Sequence, residues 1–203
     1  MPISHLWFRL RRSAAELAKD CRGVAATEFV MIVPLMLTMF FGVVEFSSGV
    51  AVDRKVTLVA RTLSDLTSQS VSVTDTDLSN FFAASVGILA PYSASPTQST
   101  ITELYVDPTT HKARVQWSKA STFNSSGNVV LGTSSHSAGD IITIPSALAV
   151  DGTYLIWSEV SYTYVPAVGY LMAKTGVTLS DLTYTRPRQS SCVMYKTTIC
   201  TTL

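Results

Sequence analysis

The stretch Cys21-Arg22-Gly23-Val24-Ala25-Ala26-Thr27-Glu28-Phe29-Val30-Met31-Ile32-Val33-Pro34 sets a carboxylate, Glu28, at the threshold of an apolar run. A bare carboxylate in hydrocarbon is costly, so Glu28 must either reach the headgroups or meet a positive partner. Downstream, Phe29 to Val44 gives sixteen residues without a formal charge, and apolar character resumes past Glu45 through Val50, Ala51 and Val52. From Val24 to Val52 a helix runs about 43 Å at ~1.5 Å per residue, more than a bilayer core of ~30 Å. The segment can therefore cross a membrane once. Arg9, Arg11, Arg12, Lys19 and Arg22 precede it, against only Glu16 and Asp20. The positive-inside rule then keeps residues 1–23 cytoplasmic and sends everything after about residue 53 across the membrane.

The rest of the composition fits that division. The 203 residues are 47% hydrophobic and 14% charged, with a mean hydropathy of +0.29. One moderate domain plus a membrane segment fills such a length. A net charge of +1 leaves no global basic surface, which argues against a nucleic-acid partner. Cys21 lies before the span, whereas Cys192 and Cys200 lie in the tail. In an oxidising compartment these two tail cysteines are expected to close a small disulfide loop. A cleavable secretory signal is the competing reading, with Ser47, Ser48, Gly49 and Ala51 as the small residues after the run. The length of the span and the helical pattern beyond it speak against that.

Val52, Val56, Val59, Leu63 and Leu66 recur at spacings of four, three, four and three, an apolar seam on one helical face. No Pro or Gly interrupts residues 50–69, so one helix is expected from about Val24 to Ser68, half in lipid and half on a head. Pro34 inside it removes one backbone donor and predicts a local loosening. Thr74-Asp75 offers an N-cap for a second amphipathic helix over about Thr76–Leu89, ended by Pro91. Strand patterns follow in residues 100–107, 113–120, 153–166 and 177–188, the first two forming a hairpin with one wet face. Residues 121–139, rich in Ser, Gly and Asn, read as a long exposed loop, and a short helical turn is expected near Pro145 to Val150. The fold class is α+β: a long N-terminal transmembrane helix packed on a small head with an antiparallel sheet of about four strands. The expected segments are a basic leader at 1–23, a membrane and spine helix at 24–69, and an exported head at 70–203.

Gly23, the residues that follow it to Glu28 and Phe29, the basic leader before and the apolar helix after resemble the signal of type IV prepilins and pseudopilins. More closely, "RGVAATEFVMIVPLMLTMFFGVVEF" (22–46) and the tail block "GVTLSDLTYTRPR" (176–188) resemble a TadE-like minor pilin of the tight-adherence (Tad, or Flp) pilus system. The resemblance implies cutting between Gly23 and Val24 by a prepilin peptidase on the cytoplasmic face, which leaves Glu28 as the fifth residue. It implies an inner-membrane, single-pass protein with a periplasmic head, carried into the extracellular pilus after processing. Its partners would be the major pilin and other minor pilins, and its role the assembly of adhesive pili, adhesion and biofilm formation. Gly23 suits a cut because it has no side chain to crowd a peptidase cleft.

A newly exposed α-ammonium at Val24 supplies the positive partner that Glu28 needs. A neighbouring subunit shifted by a few residues brings its Glu28 level with that ammonium, and low-dielectric surroundings strengthen the pairing. Glu28 is also expected in the first helical turn, where the dipole favours an anion. Glu45, followed by Phe46, lies about 25 Å further along the helix at ~1.5 Å per residue. It reads either as a headgroup-level anchor or as a second interhelical contact, to Arg54 or Lys55 of another subunit. The alternative for the whole chain is an uncleaved bitopic membrane protein whose head is a ligand- or protein-binding module.

Catalytic chemistry finds little footing. His5, His111 and His136 show no paired-ligand spacing, so no metal or cofactor site is expected, and no P-loop, dinucleotide or nucleophile-elbow motif occurs. His136 near Asp140, in a Ser-rich loop, is the one imaginable base, and an enzyme is not expected. Trp117, Trp157, Tyr162 and Tyr164 read as core, and Arg186 and Arg188 as an edge-strand guard or a contact to a partner pilin.

Overall fold

A computed structural model describes residues 23–166, 176–197 and Cys200. The basic leader expected at the N-terminus lies outside these residues. Two compact units divide the chain between Phe46 and Ser47. A single helix, α1 (Val24–Ser68), contributes to both.

In the first unit α1 presents almost nothing but apolar side chains, and they are exposed: Phe29, Met31, Leu35, Phe40 and Val43 are each more than half accessible. It is the one described helix long and apolar enough to cross a membrane. Its exposure separates it from the core helix of a soluble protein, which would bury such a face. The hydroxyls it carries are satisfied within the helix. Thr27 Oγ1 donates to the Val24 carbonyl and Thr38 Oγ1 to the Pro34 carbonyl, both at 2.8 Å. Pro34 sits inside α1 without ending it.

In the second unit the seam behaves as its spacing dictates as far as Leu63, while Leu66 is only half-buried. Val52, Val56, Val59, Ala60 and Leu63 are fully buried. After β1 (Ser72–Val73) comes α2 (Asp75–Val86), opened by a capping box. Thr74 Oγ1 accepts from the Asp77 N–H at 3.3 Å, and the Thr74 N–H donates back to Asp77 Oδ2 at 2.9 Å. Leu78, Phe82 and Val86 of α2 join the same core. A 3-10 turn at Gly87–Leu89 carries the chain on, and Lys55 caps its carbonyls, donating to Ile88 O at 2.9 Å and Ala90 O at 2.6 Å.

The sheet holds β2 (Thr97–Val106), β3 (Ala113–Phe123), β4 (Val129–Gly132), β5 (Ile141–Ile142), β6 (Tyr154–Tyr164) and β7 (Val177–Thr185). Its order is β4-β3-β2-β6-β7, all antiparallel, with β5 paired to β3. The six strands exceed the four expected because β4 and β5 form inside and just beyond the segment read as a loop. Another expectation fails at the hairpin. Glu103 pairs with Trp117 but Leu104 with Val115, so Gln116 is the extra residue of a bulge. Beyond the bulge the alternation changes face. Trp117 packs with the α1 seam, while Ala113 and Val115 pack on the opposite face with Leu104, Leu155 and Trp157. Ile142, Ile144 and Leu148 cover that second cluster, so the expected wet face is partly dry.

The C-terminal segment closes the head. β8 (Met194–Tyr195) lies parallel to β1, pairing Ser72 with Met194 and Val73 with Tyr195. The Trp117 indole N–H donates to the Val193 carbonyl at 2.7 Å, and the Val193 N–H donates to Glu103 Oε1 at 2.6 Å. The Arg188 N–H donates to Ser68 O at 2.9 Å, and its guanidinium pairs with Asp65. Cys192 and Cys200 form a disulfide, with Cα atoms 6.2 Å apart.

Candidate functional site

The residues singled out at the N-terminal end lie on one continuous piece of backbone. Gly23 is exposed, with no atom within 4 Å of where a Cβ would stand. An open, uncrowded glycine is what a peptidase cleft can close upon. Helix α1 begins one residue later, at Val24. Glu28 is then the fifth helical residue, beyond the first turn, where α1 has no acidic side chain. The dipole argument for Glu28 therefore weakens, and its need for a cationic partner grows. Glu28 and Phe29 are both exposed.

Glu45 stands in a different environment. It is 4% exposed and is not a free carboxylate. Of the cations considered for it, Lys55 is committed to the two carbonyls it caps, and Arg54 is exposed.

The head carries a polar depression of about 500 Å³, lined by Gln98, Thr100, Ser135, His136, Glu159, Ser161 and their neighbours on β6 and β7. His136 is not paired with Asp140. Its Nε2 lies 2.8 Å from Glu159 Oε2, its backbone N–H donates to Ser134 Oγ, and its ring packs on Trp157 at 4.9 Å between centroids. Asp140 instead accepts the Ser137 N–H at 2.7 Å. Among the described residues no serine hydroxyl is hydrogen-bonded to the His136 ring, so the Ser–His contact of a hydrolase is not formed there. Among the described residues no group of three His, Cys, Asp or Glu side chains converges as a metal site.

Sequence reasoning missed Glu103. It reads as one more polar position of an alternating strand, yet it is buried beneath the C-terminal segment at 2% exposure. Burial pushes its carboxyl up to about 8, against the opposing pull of the Val193 N–H and the Trp117 indole. The signal that betrays it is indirect: a carboxylate flanked by Thr102 and Leu104 in a strand that is buried on both faces.

Comparison with known proteins returns one family model, described as TadE-like protein, over residues 23–63. No curated protein matches the chain, and no solved structure matches it. The matched stretch opens at the candidate cleavage glycine, includes Glu28 and Glu45, and ends at Leu63 in the head core. That family is structural rather than catalytic. Over this segment the chain is similar to TadE-like proteins.

Proposed function

We propose that the protein is a minor pilin, or pseudopilin, that takes part in assembling tight-adherence pili, and through them in adhesion and biofilm formation. In this reading α1 crosses the inner membrane with its N-terminal end cytoplasmic, the head is periplasmic, and a prepilin peptidase cuts between Gly23 and Val24. The observation that carries it is an exposed carboxylate, Glu28, on an apolar exposed helix that starts directly after an open glycine, within the matched family segment.

The physics of assembly follows from that placement. A charged carboxylate costs roughly 2.5–3.5 kcal/mol at the centre of a bilayer helix and less toward its end, where Glu28 stands, so an unmatched Glu28 carries a part of that penalty. Glu28 lies about 6 Å along the axis from Val24 at ~1.5 Å per residue. A neighbour displaced axially by that amount presents its Glu28 to the α-ammonium of the first subunit. The pairing fixes register, and a slipped neighbour loses it. Major and other minor pilins with the same helical signal are the partners such a pairing selects.

Replacing Glu28 with Ala in the native host tests this. Membrane insertion is expected to persist, since the span becomes more apolar, while pilus assembly is impaired. Normal piliation with Glu28→Ala would remove the register argument.

A further inference from the structure

The depression on the sheet face away from α1 is not used by the assembly reading. Its floor is β2, β6 and β7, which contribute Gln98 and Thr100, Glu159 and Ser161, and Ser180 and Leu182; the segment after β4 adds Ser135 and His136. We propose that this depression is a binding site for a neutral oligosaccharide, with Glu159, His136 and Gln98 as the principal polar contacts.

Ligand class follows from what the wall offers. Hydroxyl and amide groups dominate it: Gln98, Thr100, Ser135, Ser161 and Ser180 can each donate and accept. Among the described residues neither Lys nor Arg lines it, so these residues offer a phosphate or carboxylate ligand no fixed positive charge. Among the described residues Val160 and Leu182 are its only aliphatic members, too few for an apolar ligand or for the side-chain pockets of a peptide. Glu159 and Asp181 do not make a cation cage: Asp181 pairs with Val160, on the opposite pleat from Glu159, and its Oδ1 accepts the Leu182 N–H at 2.8 Å. What remains is a ligand presenting many hydroxyls, with a carboxylate to accept from them. About 500 Å³ lies within the ~300–1,000 Å³ range of small-ligand sites.

The wall is also held in place before any ligand arrives. His136 is fixed by Glu159, by Ser134 and by the face of Trp157, and Trp157 is stacked in turn on Tyr184 at 6.0 Å with the planes 10° apart. The Trp157 indole N–H is buried and has no acceptor among the described residues. A preformed polar surface binds with less ordering cost than a mobile loop.

Saturation-transfer difference NMR tests the site on the full chain in micelles of a detergent without a sugar headgroup, with maltotriose, chitotriose and galactotriose as probes. At least one is expected to bind, and Glu159→Gln is expected to weaken it about tenfold or more, the loss of a charge-assisted hydrogen bond. Gln98→Ala, at an exposed position, is expected to weaken it too and keeps the test valid if Glu159→Gln fails to fold. Absence of saturation transfer from all the saccharides overturns the proposal. So does binding unchanged in the folded variants, or displacement of the saccharide by inorganic phosphate or calcium chloride, which would assign the depression to a charged ligand.

Discussion

Glu103 Oε1 accepts the Val193 N–H at 2.6 Å, joining β2 to a residue ninety positions later. The Trp117 indole holds the carbonyl of that same residue at 2.7 Å. One residue of the C-terminal segment is thus held by the sheet at both its N–H and its carbonyl.

Because burial lifts Glu103 from the ordinary 4.5 to about 8, the folded protein keeps a proton that the unfolded chain gives up across that window. Its contribution to stability is full below about pH 4.5, falls as the pH rises, and levels off above about 8. At about 1.36 kcal/mol per pKa unit the ceiling is about 5 kcal/mol, reduced by local relaxation. Urea denaturation of the full chain in detergent from pH 5 to 9 is expected to show this decline, and Glu103→Gln to flatten it. An equally steep decline in the variant would place its origin elsewhere.

The disulfide acts on the same segment. Cys192 and Cys200 are separated by eight positions. Closing so short a loop contributes about 2–3 kcal/mol in the chain-entropy account. Replacing both cysteines by Ser is expected to lower the denaturation midpoint accordingly. It should also loosen the hold on Val193, read as a change in Trp117 emission. Unaltered emission and midpoint would count against a fastened segment.

Lys55 links α1 to the turn after α2 through its two carbonyl contacts. Lys55→Met keeps the aliphatic stem and removes both donors, and is expected to cost about 1–3 kcal/mol in denaturant melts. A neutral result would mean that water replaces the ammonium without loss.

The parts of the fold that were legible in the sequence are those in which a local pattern meets a single environment. Val52, Val56, Val59 and Leu63 alternate at helical spacing and are buried together, and Thr74 announces the helix it caps. The hairpin expected to have one wet face departs from that at Gln116, because one extra residue reverses every side chain beyond it and composition carries no mark of a bulge. Residues 129–132 looked like loop because Ser, Gly and Asn surround a strand too short to show alternation. The union of β1 with β8 and the burial of Glu103 depend on contacts across the whole head, which no local window contains. At the candidate site the positions of Gly23, Glu28 and Glu45 were readable, but the difference between an exposed Glu28 and a buried Glu45 was not. His136 drew attention for Asp140 and is held by Glu159, a neighbour that only the sheet brings to it.

The pairing of Glu28 with a neighbour's terminal amine requires that the amine exist. N-terminal sequencing, with intact mass, of the protein recovered from the cells that make it is the most direct test. The account predicts a chain that begins at Val24. Recovery of a chain that still begins at Met1 would contradict it.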